Sequence, residues 1–334
     1  MVQLGFIGVG GMGMYQVRSF LEVRGFRITA GADLSPEARK RFAERAPGAA
    51  VYADHRELLA DRNVEAVVVA VPTLFHAKMA IDVMRSGRPV MVEKPMARTV
   101  ADCRRMLEVS RKTRQLLMVA HCRRYDADWG TFARVYRSGA LGEPVVWRSV
   151  QSGYAPGVPW FTDDKIGGGP LFDGAVHDED FANMLFGDPE SVCASSIKLT
   201  GTTCVDTATA IVRYKTANQL VLSWSWGPAA SGGGVQDVLG TKGSLLFNPP
   251  NLNGEQIDTR KYGYYRVTNL RTRKSKLVRF TRKSMYVTQG RHFLACLTGR
   301  AKCLTPGTEA IKAVAVAEAI VKVGPRGGVR RVRW

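Results

Sequence analysis

Leu4-Gly5-Phe6-Ile7-Gly8-Val9-Gly10-Gly11-Met12-Gly13, followed twenty residues past its last glycine by Asp33, decides the fold of this chain. The spacing is G-x-G-x-x-G, entered from a short apolar strand and left through a helix-like run over 14–23, the fingerprint of a dinucleotide-binding turn. Gly8 permits the tight strand-to-helix turn, Gly10 lets the backbone approach a pyrophosphate, and Gly13 lets the helix lie close on the strand; Gly11 and Met12 belong to the same turn. Backbone N–H groups at the helix start, together with the helix dipole, favour the pyrophosphate there. A second apolar segment, Phe26-Arg27-Ile28-Thr29-Ala30-Gly31-Ala32, ends on Asp33, a position that an ordinary glycine-rich loop would leave to chance. A carboxylate at this strand end accepts from the adenosine ribose hydroxyls and repels a 2′-phosphate, so the cofactor reads as NAD, with NADP the alternative. Arg39 and Lys40 lie nearby in sequence and are expected to face away on the following helix.

The chain of 334 residues can bury a large core, and about one domain per 150 residues gives two. No apolar run approaches the roughly 18 residues that cross a bilayer, and the first strand begins at once, so neither a membrane span nor a signal peptide is expected. Cys103, Cys122, Cys193, Cys204, Cys296 and Cys303 form no C-x-x-C pair and show no histidine partner at ligand spacing. They read as reduced thiols of a cytoplasmic protein without a metal site.

The net charge of +19 is the unusual feature of the composition. Residues 255–283 carry Arg260, Lys261, Arg266, Arg271, Arg273, Lys274, Lys276, Arg279, Arg282 and Lys283 against Glu255 and Asp258, and the tail adds Lys322, Arg326, Arg330, Arg331 and Arg333. A basic patch can bind nucleic acid. However, Tyr265-Arg266-Val267-Thr268-Asn269-Leu270 and Lys276-Leu277-Val278-Arg279-Phe280 alternate as the half-exposed strands of a hairpin do, and no recognition-helix, zinc or RNA-binding motif accompanies them. A solvated strand face is the reading, and nucleic acid is not an expected partner.

Along residues 1–121 strands at 2–8, 27–33, 51–52, 66–71, 90–93 and 116–120 alternate with helices at 12–24, 36–46, 56–60, 76–86 and 100–113. This order predicts an α/β, doubly wound parallel sheet of the Rossmann type with its ligand at the carboxyl ends of the strands. Ser35-Pro36 supplies an N-cap with proline at the first helical position, and Gly87 ends the fourth helix. From 122 to 334 the texture changes. Helices at 128–138, 171–185 and 307–323 flank strand runs at 144–151, 192–200, 207–214, 219–226, 235–240 and 244–247 and the basic hairpin, which predicts an α+β domain with a large, mostly antiparallel open sheet.

Two segments carry chemistry. Val90-Met91-Val92-Glu93-Lys94-Pro95 ends a strand of the parallel sheet, where a lysine can donate to a substrate hydroxyl or to the nicotinamide ribose and stabilise a developing alkoxide. Pro95 holds Lys94 in extended geometry and is compatible with a cis peptide. Asp173 and His177, four residues apart on the helix entered through Gly167-Gly168-Gly169-Pro170, would share one face. A histidine removes a hydroxyl proton near neutrality, and a neighbouring carboxylate orients substrate or imidazole. Asp180, a turn further on, can bond to His177 or simply stabilise the helix.

Together these segments resemble the Gfo/Idh/MocA oxidoreductases, the family of glucose–fructose oxidoreductase and inositol dehydrogenase, through most of the chain. The matching motifs are Gly8/Gly10/Gly13, Val71-Pro72-Thr73 with His76, Gly87…Glu93-Lys94-Pro95, Arg123-Arg124-Tyr125, and Gly167-Gly168-Gly169 with Asp173 and His177. The resemblance implies an NAD(P)-dependent dehydrogenase acting on CH–OH groups of a sugar, polyol or sugar derivative. In it Lys94 holds the substrate hydroxyl and the nicotinamide, His177 is the acid/base and Asp173 positions substrate or His177. Val71, Pro72, Thr73, His76 and Glu93 surround the nicotinamide ribose, and Arg124 lies near cofactor and substrate. Tyr154 and Trp160 are candidates for the sugar-facing wall, and the broad sheet suits a homodimer or homotetramer. Gly174 departs from relatives that carry a substrate-contacting side chain after the aspartate. The alternatives are an NAD-dependent glycosidase working by transient oxidation, and a non-catalytic nucleotide-sensing regulator, which would need no proton shuttle.

Overall fold

Short apolar strands separated by helices assemble into a six-stranded sheet in the computed structural model, which describes residues 1–227, 233–249 and 258–334. The strands and helices are β1 (Val2–Ile7), α1 (Gly11–Leu21), β2 (Phe26–Ala32), α2 (Pro36–Arg45), β3 (Ala50–Tyr52), α3 (His55–Ala60), β4 (Ala66–Val69), α4 (His76–Arg85), β5 (Val90–Glu93), α5 (Val100–Thr113) and β6 (Leu117–Ala120). Their order in the sheet is β3-β2-β1-β4-β5-β6, and every pair is parallel. Sequence order reverses between β1 and β4, the place where an open α/β sheet leaves a crevice for a ligand. Every residue of β4, β5 and β6 is buried, as expected for strands covered on both faces. Ser35 accepts from the Ala38 N–H at the start of α2, and Asp54 and Glu57 form a capping box on α3.

The rest of the chain forms α6 (Ala127–Arg137), β7 (Val145–Ser152), α7 (Val176–Phe186), β8 (Pro189–Ile197), β9 (Thr207–Tyr214), β10 (Gln219–Ser225), β11 (Gly233–Gly240), β12 (Gly243–Phe247), β13 (Tyr262–Asn269), β14 (Ser275–Thr281), α8 (Met285–Leu297), α9 (Gly307–Val321) and β15 (Gly328–Arg331). Nine strands make one sheet in the order β14-β13-β12-β11-β7-β10-β9-β8-β15, antiparallel throughout except where β10 lies parallel to β7. Trp129 and Phe132 of α6, Trp147 of β7, Phe181 of α7 and Phe247 of β12 meet edge to face, tilted or, for Phe132 and Phe181, stacked, with centroids 5.0–6.5 Å apart. Each fully buried side chain of this size contributes about 1.5–3 kcal/mol. The basic hairpin is β13–β14, with its lysines and most of its arginines exposed and Arg279 lying 4.0 Å over the Tyr262 ring. Glu255 lies outside the described residues.

The chain forms two compact units, one of Met1–Cys122 with Ser284–Ile311, the other of Arg123–Lys283 with Lys312–Trp334. A single boundary at 121/122 therefore differs from the observed division. The return of 284–311 to the first unit has a packing cause, since α8 lies on α1. Tyr286 meets Tyr15 at 4.7 Å and Phe293 meets Phe26 at 6.1 Å. A Cβ on Gly290 would stand 3.1–3.3 Å from Val23 and Phe20. α8 also overturns the reading of the thiols as lacking histidine partners. His292 and Cys296 stand one helical turn apart, with His292 Nε2 and Cys296 Sγ separated by 3.3 Å.

Candidate active site

In the first unit, sterics explain each glycine of the opening motif. Gly8 has φ +84°, and a Cβ there would meet the Ala70 carbonyl oxygen at 2.5 Å. On Gly13 a Cβ would meet the Gly8 carbonyl oxygen at 2.0 Å, so the helix reaches the strand only without a side chain. At Gly10 the nearest atom is Asp33 Oδ2 at 4.0 Å, and at exposed Gly11 nothing lies within 4 Å. This leaves backbone N–H groups accessible at the start of α1, with Met12 also half exposed. The cradle fits a pyrophosphate.

Asp33 is held in advance. Its Oδ2 accepts from the Val9 N–H at 2.9 Å and its Oδ1 from the Ser35 N–H at 2.9 Å, which leaves further acceptor capacity on both oxygens. Arg39 does not face away as expected. Its guanidinium donates to the carbonyls of Asp33 at 2.8 Å and Leu34 at 3.0 Å, because the first turn of α2 folds it back over the loop.

At the ends of β4 and β5, the protein itself takes up several of the side chains assigned to the nicotinamide. His76 is buried, with Nδ1 2.7 Å from the Pro95 carbonyl and Nε2 2.8 Å from the Val71 carbonyl. Burial, with the nearby Lys94 charge, lowers its pKa to about 4 against the pull of these two acceptors. His76 thus pins the loop after β4 to the loop after β5. Glu93 is buried and accepts from Gln16 Nε2 of α1 at 2.5 Å and from the Lys94 N–H at 3.2 Å. Thr73 is buried in a 3-10 turn, Val71 and Pro72 are half buried, and Lys94–Pro95 is cis. Over residues 90–97, Lys94 alone keeps partial exposure.

The second unit shapes the other segment differently from a plain helix. Residues Leu171–Ala175 form a π-helical turn that runs into α7, so Asp173 lies in the turn and His177 in the first turn of the α-helix. Such turns are frequent at functional sites. The glycines before it fit tightly. A Cβ on Gly167 would strike the Trp160 and Phe161 backbone, and Gly169, with φ +84°, would strike the Val205 carbonyl. From 167 to 183 only Asp173, Gly174 and His177 are not buried. Trp160 stacks on Phe161 at 3.7 Å, while Tyr154 is 83% exposed.

Gly174 has a local cause. A Cβ there would lie 2.2 Å from the Trp224 indole, whose Nε1–H donates to Asp178 Oδ2 at 2.8 Å. Trp224 was missed by sequence reading, and a glycine directly after Asp173 was the available signal. Asp178 also pairs with Arg123, which lies 4.2 Å over the Trp129 ring. Asp180, expected to bond to His177 or to stabilise the helix, has an ion pair elsewhere on the chain. It takes a two-pronged pair from Arg124, at 2.8 Å from Nε and 2.6 Å from Nη2. With its side chain 5% exposed, Arg124 braces the start of the second unit through this pair.

Glu179 is fully buried beside Asp178, and neither carboxyl oxygen finds a hydrogen-bond partner among the described residues. Burial, and secondarily the Asp178 charge, pushes its pKa well above the usual carboxylate range. The folded state therefore holds a proton that the unfolded chain releases above about pH 4.3. Stability from this group is present below that pH and is lost as pH rises toward the folded value, by up to about 1.4 kcal/mol per pH unit. Glu179→Gln is expected to flatten this slope, so that denaturant titrations show the variant gaining on the parent as pH rises from 5 to 8. An unchanged difference across that range would refute the assignment.

Two family models account for most of the chain. The model of the oxidoreductase family with an NAD-binding Rossmann fold, Gfo/Idh/MocA, matches residues 2–121, and that of the GFO/IDH/MocA C-terminal domain matches residues 129–246. An inositol 2-dehydrogenase of Burkholderia multivorans is 32% identical over 56% of this chain and 55% of its own length, so the chain spans about half of that relative. Among solved structures, the WlbA dehydrogenase of Bordetella pertussis, in complex with NADH and UDP-GlcNAcA, is similar with a TM-score of 0.83 at 21% identity, covering 100% of this chain and 99% of that one. The 3-ketoreductase KijD10 of Actinomadura kijaniata, in complex with NADP and TDP-benzene, gives 0.85 at 19% identity, covering 97% and 98%. These two likenesses establish the shared fold.

Proposed function

Since the chain belongs to the Gfo/Idh/MocA oxidoreductase family, we propose that it is an NAD-dependent dehydrogenase of a sugar, polyol or sugar derivative, with Lys94 and His177 serving the same reacting hydroxyl. One observation carries this reading: in two otherwise buried segments, the residues left accessible are Lys94 in one and Asp173, Gly174 and His177 in the other. Burying a lysine, an aspartate and a histidine fully would cost several kcal/mol unless each was paired, whereas keeping them half open suits groups that meet a polar ligand. The nicotinamide, when bound, exchanges a hydride with the carbinol carbon. His177 takes the hydroxyl proton as the carbon–oxygen bond becomes a carbonyl, and returns it in the reverse direction. Lys94 donates to the same oxygen and lowers the energy of its alkoxide character. Asp173, one turn before His177, orients the imidazole or a neighbouring substrate hydroxyl. His76 and Glu93 act through Lys94 as positioning residues, since one holds the Pro95 carbonyl and the other accepts the Lys94 N–H.

The reaction is tested by following NADH absorbance with a panel of sugars and polyols. Cyclic polyols stand first, because the B. multivorans relative is named an inositol dehydrogenase. Substrate-dependent NADH formation supports the reading. Release of an aglycone with no net NADH would replace it with the glycosidase.

Asp33 sets the cofactor. Asp33→Ser removes a carboxylate that accepts ribose hydroxyls and repels phosphate, while Arg39 stays beside the loop. The ratio of kcat/KM for NAD to that for NADP is expected to fall roughly 10- to 100-fold, the worth of one or two hydrogen bonds to a charged group. An unchanged ratio would show that Asp33 does not face the ribose.

Val150 and Val235, opposite each other on β7 and β11, and Leu239 further along the same face of β11, are exposed on the sheet. We assign this face to a second copy of the chain in a homodimer or homotetramer, and light scattering of a monomer in solution would refute it. No disulfide joins the six cysteines, and we assign the chain to a reducing compartment such as the cytoplasm.

A further inference from the structure

The geometry points to a thiolate–imidazole zinc site formed by His292, Cys296 and Cys303 at the end of α8. The three ligand atoms lie within 4.8 Å of one another, and all three residues are half buried. His292 and Cys296 project from the same face of the helix, one turn apart. The turn after the helix returns the chain, with Gly299 at φ +69° and the Arg300 N–H donating to the Ala295 carbonyl at 2.8 Å, and this brings Cys303 back to them.

The Leu304 N–H donates to His292 Nε2 at 3.1 Å, which identifies Nε2 as the lone-pair nitrogen of a ring protonated at Nδ1. A metal takes that lone pair and the Leu304 amide turns elsewhere. The spacing suits tetrahedral zinc, for which bond lengths of about 2.0–2.1 Å to nitrogen and 2.3 Å to sulfur give an N···S edge of about 3.5 Å and an S···S edge of about 3.8 Å. The observed His292 Nε2 to Cys296 Sγ distance is 3.3 Å. Two sulfurs and an imidazole select a soft or borderline cation over magnesium or calcium. Binding Zn2+ replaces two S–H bonds by two Zn–S bonds and releases two protons to solvent, leaving the first shell neutral and a fourth position for water. The site ties α8 to the segment 303–306, where the Thr305 carbonyl accepts from the Val119 N–H at 2.9 Å and Pro306 bridges to Met118. Occupancy thus clamps the cover of α1 to the edge of the parallel sheet.

The test uses the full chain, reduced and stripped of metal, titrated with Zn2+ against a chromophoric chelator and with Co2+ as a spectroscopic probe. One Zn2+ per chain, tetrahedral Co2+ bands with thiolate-to-cobalt charge transfer, and a thermal midpoint raised by Zn2+ are expected. Cys303→Ser and His292→Ala should each weaken Zn2+ binding more than about 100-fold, beyond the loss caused by altering an outer-shell partner. Cys193→Ser, at an exposed cysteine, should leave it unchanged. Equal affinity in Cys303→Ser and the parent, or octahedral Co2+ bands without charge transfer, would overturn the site. So would a Cys296–Cys303 disulfide forming in air in a chain that takes up no metal when reduced. Cys303 lies half buried in the segment between α8 and α9, and Cys303→Ala provides a second variant for the same comparison.

Discussion

Replacing Gly13 by alanine is expected to abolish NAD binding and to lower the thermal midpoint by roughly 6–12 °C. The added Cβ would lie 2.0 Å from the Gly8 carbonyl oxygen and 2.8 Å from its carbon. Both are backbone atoms of the turn, which cannot swing aside as a flexible side chain could. Overpacking typically costs about 1–3 kcal/mol, and a collision with fixed backbone belongs at or above the upper end. For a unit of about 150 residues each kcal/mol moves the midpoint by about 2–4 °C. Relief requires α1 to withdraw from β1, which displaces the N–H groups proposed to hold the pyrophosphate. Calorimetry of NAD binding and a thermal melt read the two effects together. Gly11→Ala is the control for stability, since nothing lies within 4 Å of its Cβ position and the residue is exposed. Equal melting of Gly13→Ala and the parent would mean that the helix does not lie on the strand as described.

His177→Ala is expected to lower kcat by about 10²–10⁴-fold, the range that general acid–base catalysis supplies. Lys94→Ala should lower it by about 10²–10³-fold through loss of a donor to the developing alkoxide. Both residues are half exposed in otherwise buried segments, so neither truncation leaves a large cavity, and NAD affinity in His177→Ala should remain that of the parent. The pH–rate profile of His177→Ala loses the limb contributed by the imidazole. If the two residues serve one oxygen, the double variant falls short of the product of the single effects, because groups acting as a unit are not additive. Full additivity, or turnover unchanged in His177→Ala, would remove the proton-transfer role.

The elements legible in the sequence are those whose causes are local. The glycine spacing is steric, and Gly8 and Gly13 meet atoms within a few residues or on the adjacent strand end. Ser35 and the proline after it start α2 by capping chemistry alone. The sheet of the second unit was visible as strand runs without helices between them, yet the parallel β7–β10 pair was not, since pairing direction depends on a partner about 70 residues away. α8 went unread because Gly290 and the β-branched Val287 and Thr288 lower its helix propensity, while the reason for the glycine is Phe20 of α1 and Val23 just past its end. His76, Glu93 and Arg124 also have partners within the protein that the sequence does not show. Their partners, Pro95, Gln16 and Asp180, lie 19, 77 and 56 residues away, and no local pattern announces them. Trp224 was hidden for the same reason, although the unexplained glycine at 174 pointed to a bulky neighbour.

The return of 284–311 to the first unit bears on how the protein is made. Synthesis is vectorial, and the whole parallel sheet has left the ribosome before α8 exists. Until then Phe20 and Phe26, both buried in the finished protein, lack the Phe293 and Gly290 surface of their cover. A nascent chain therefore carries an apolar patch while the more than 150 residues between β6 and α8 are made, which is the interval in which a chaperone would have work to do.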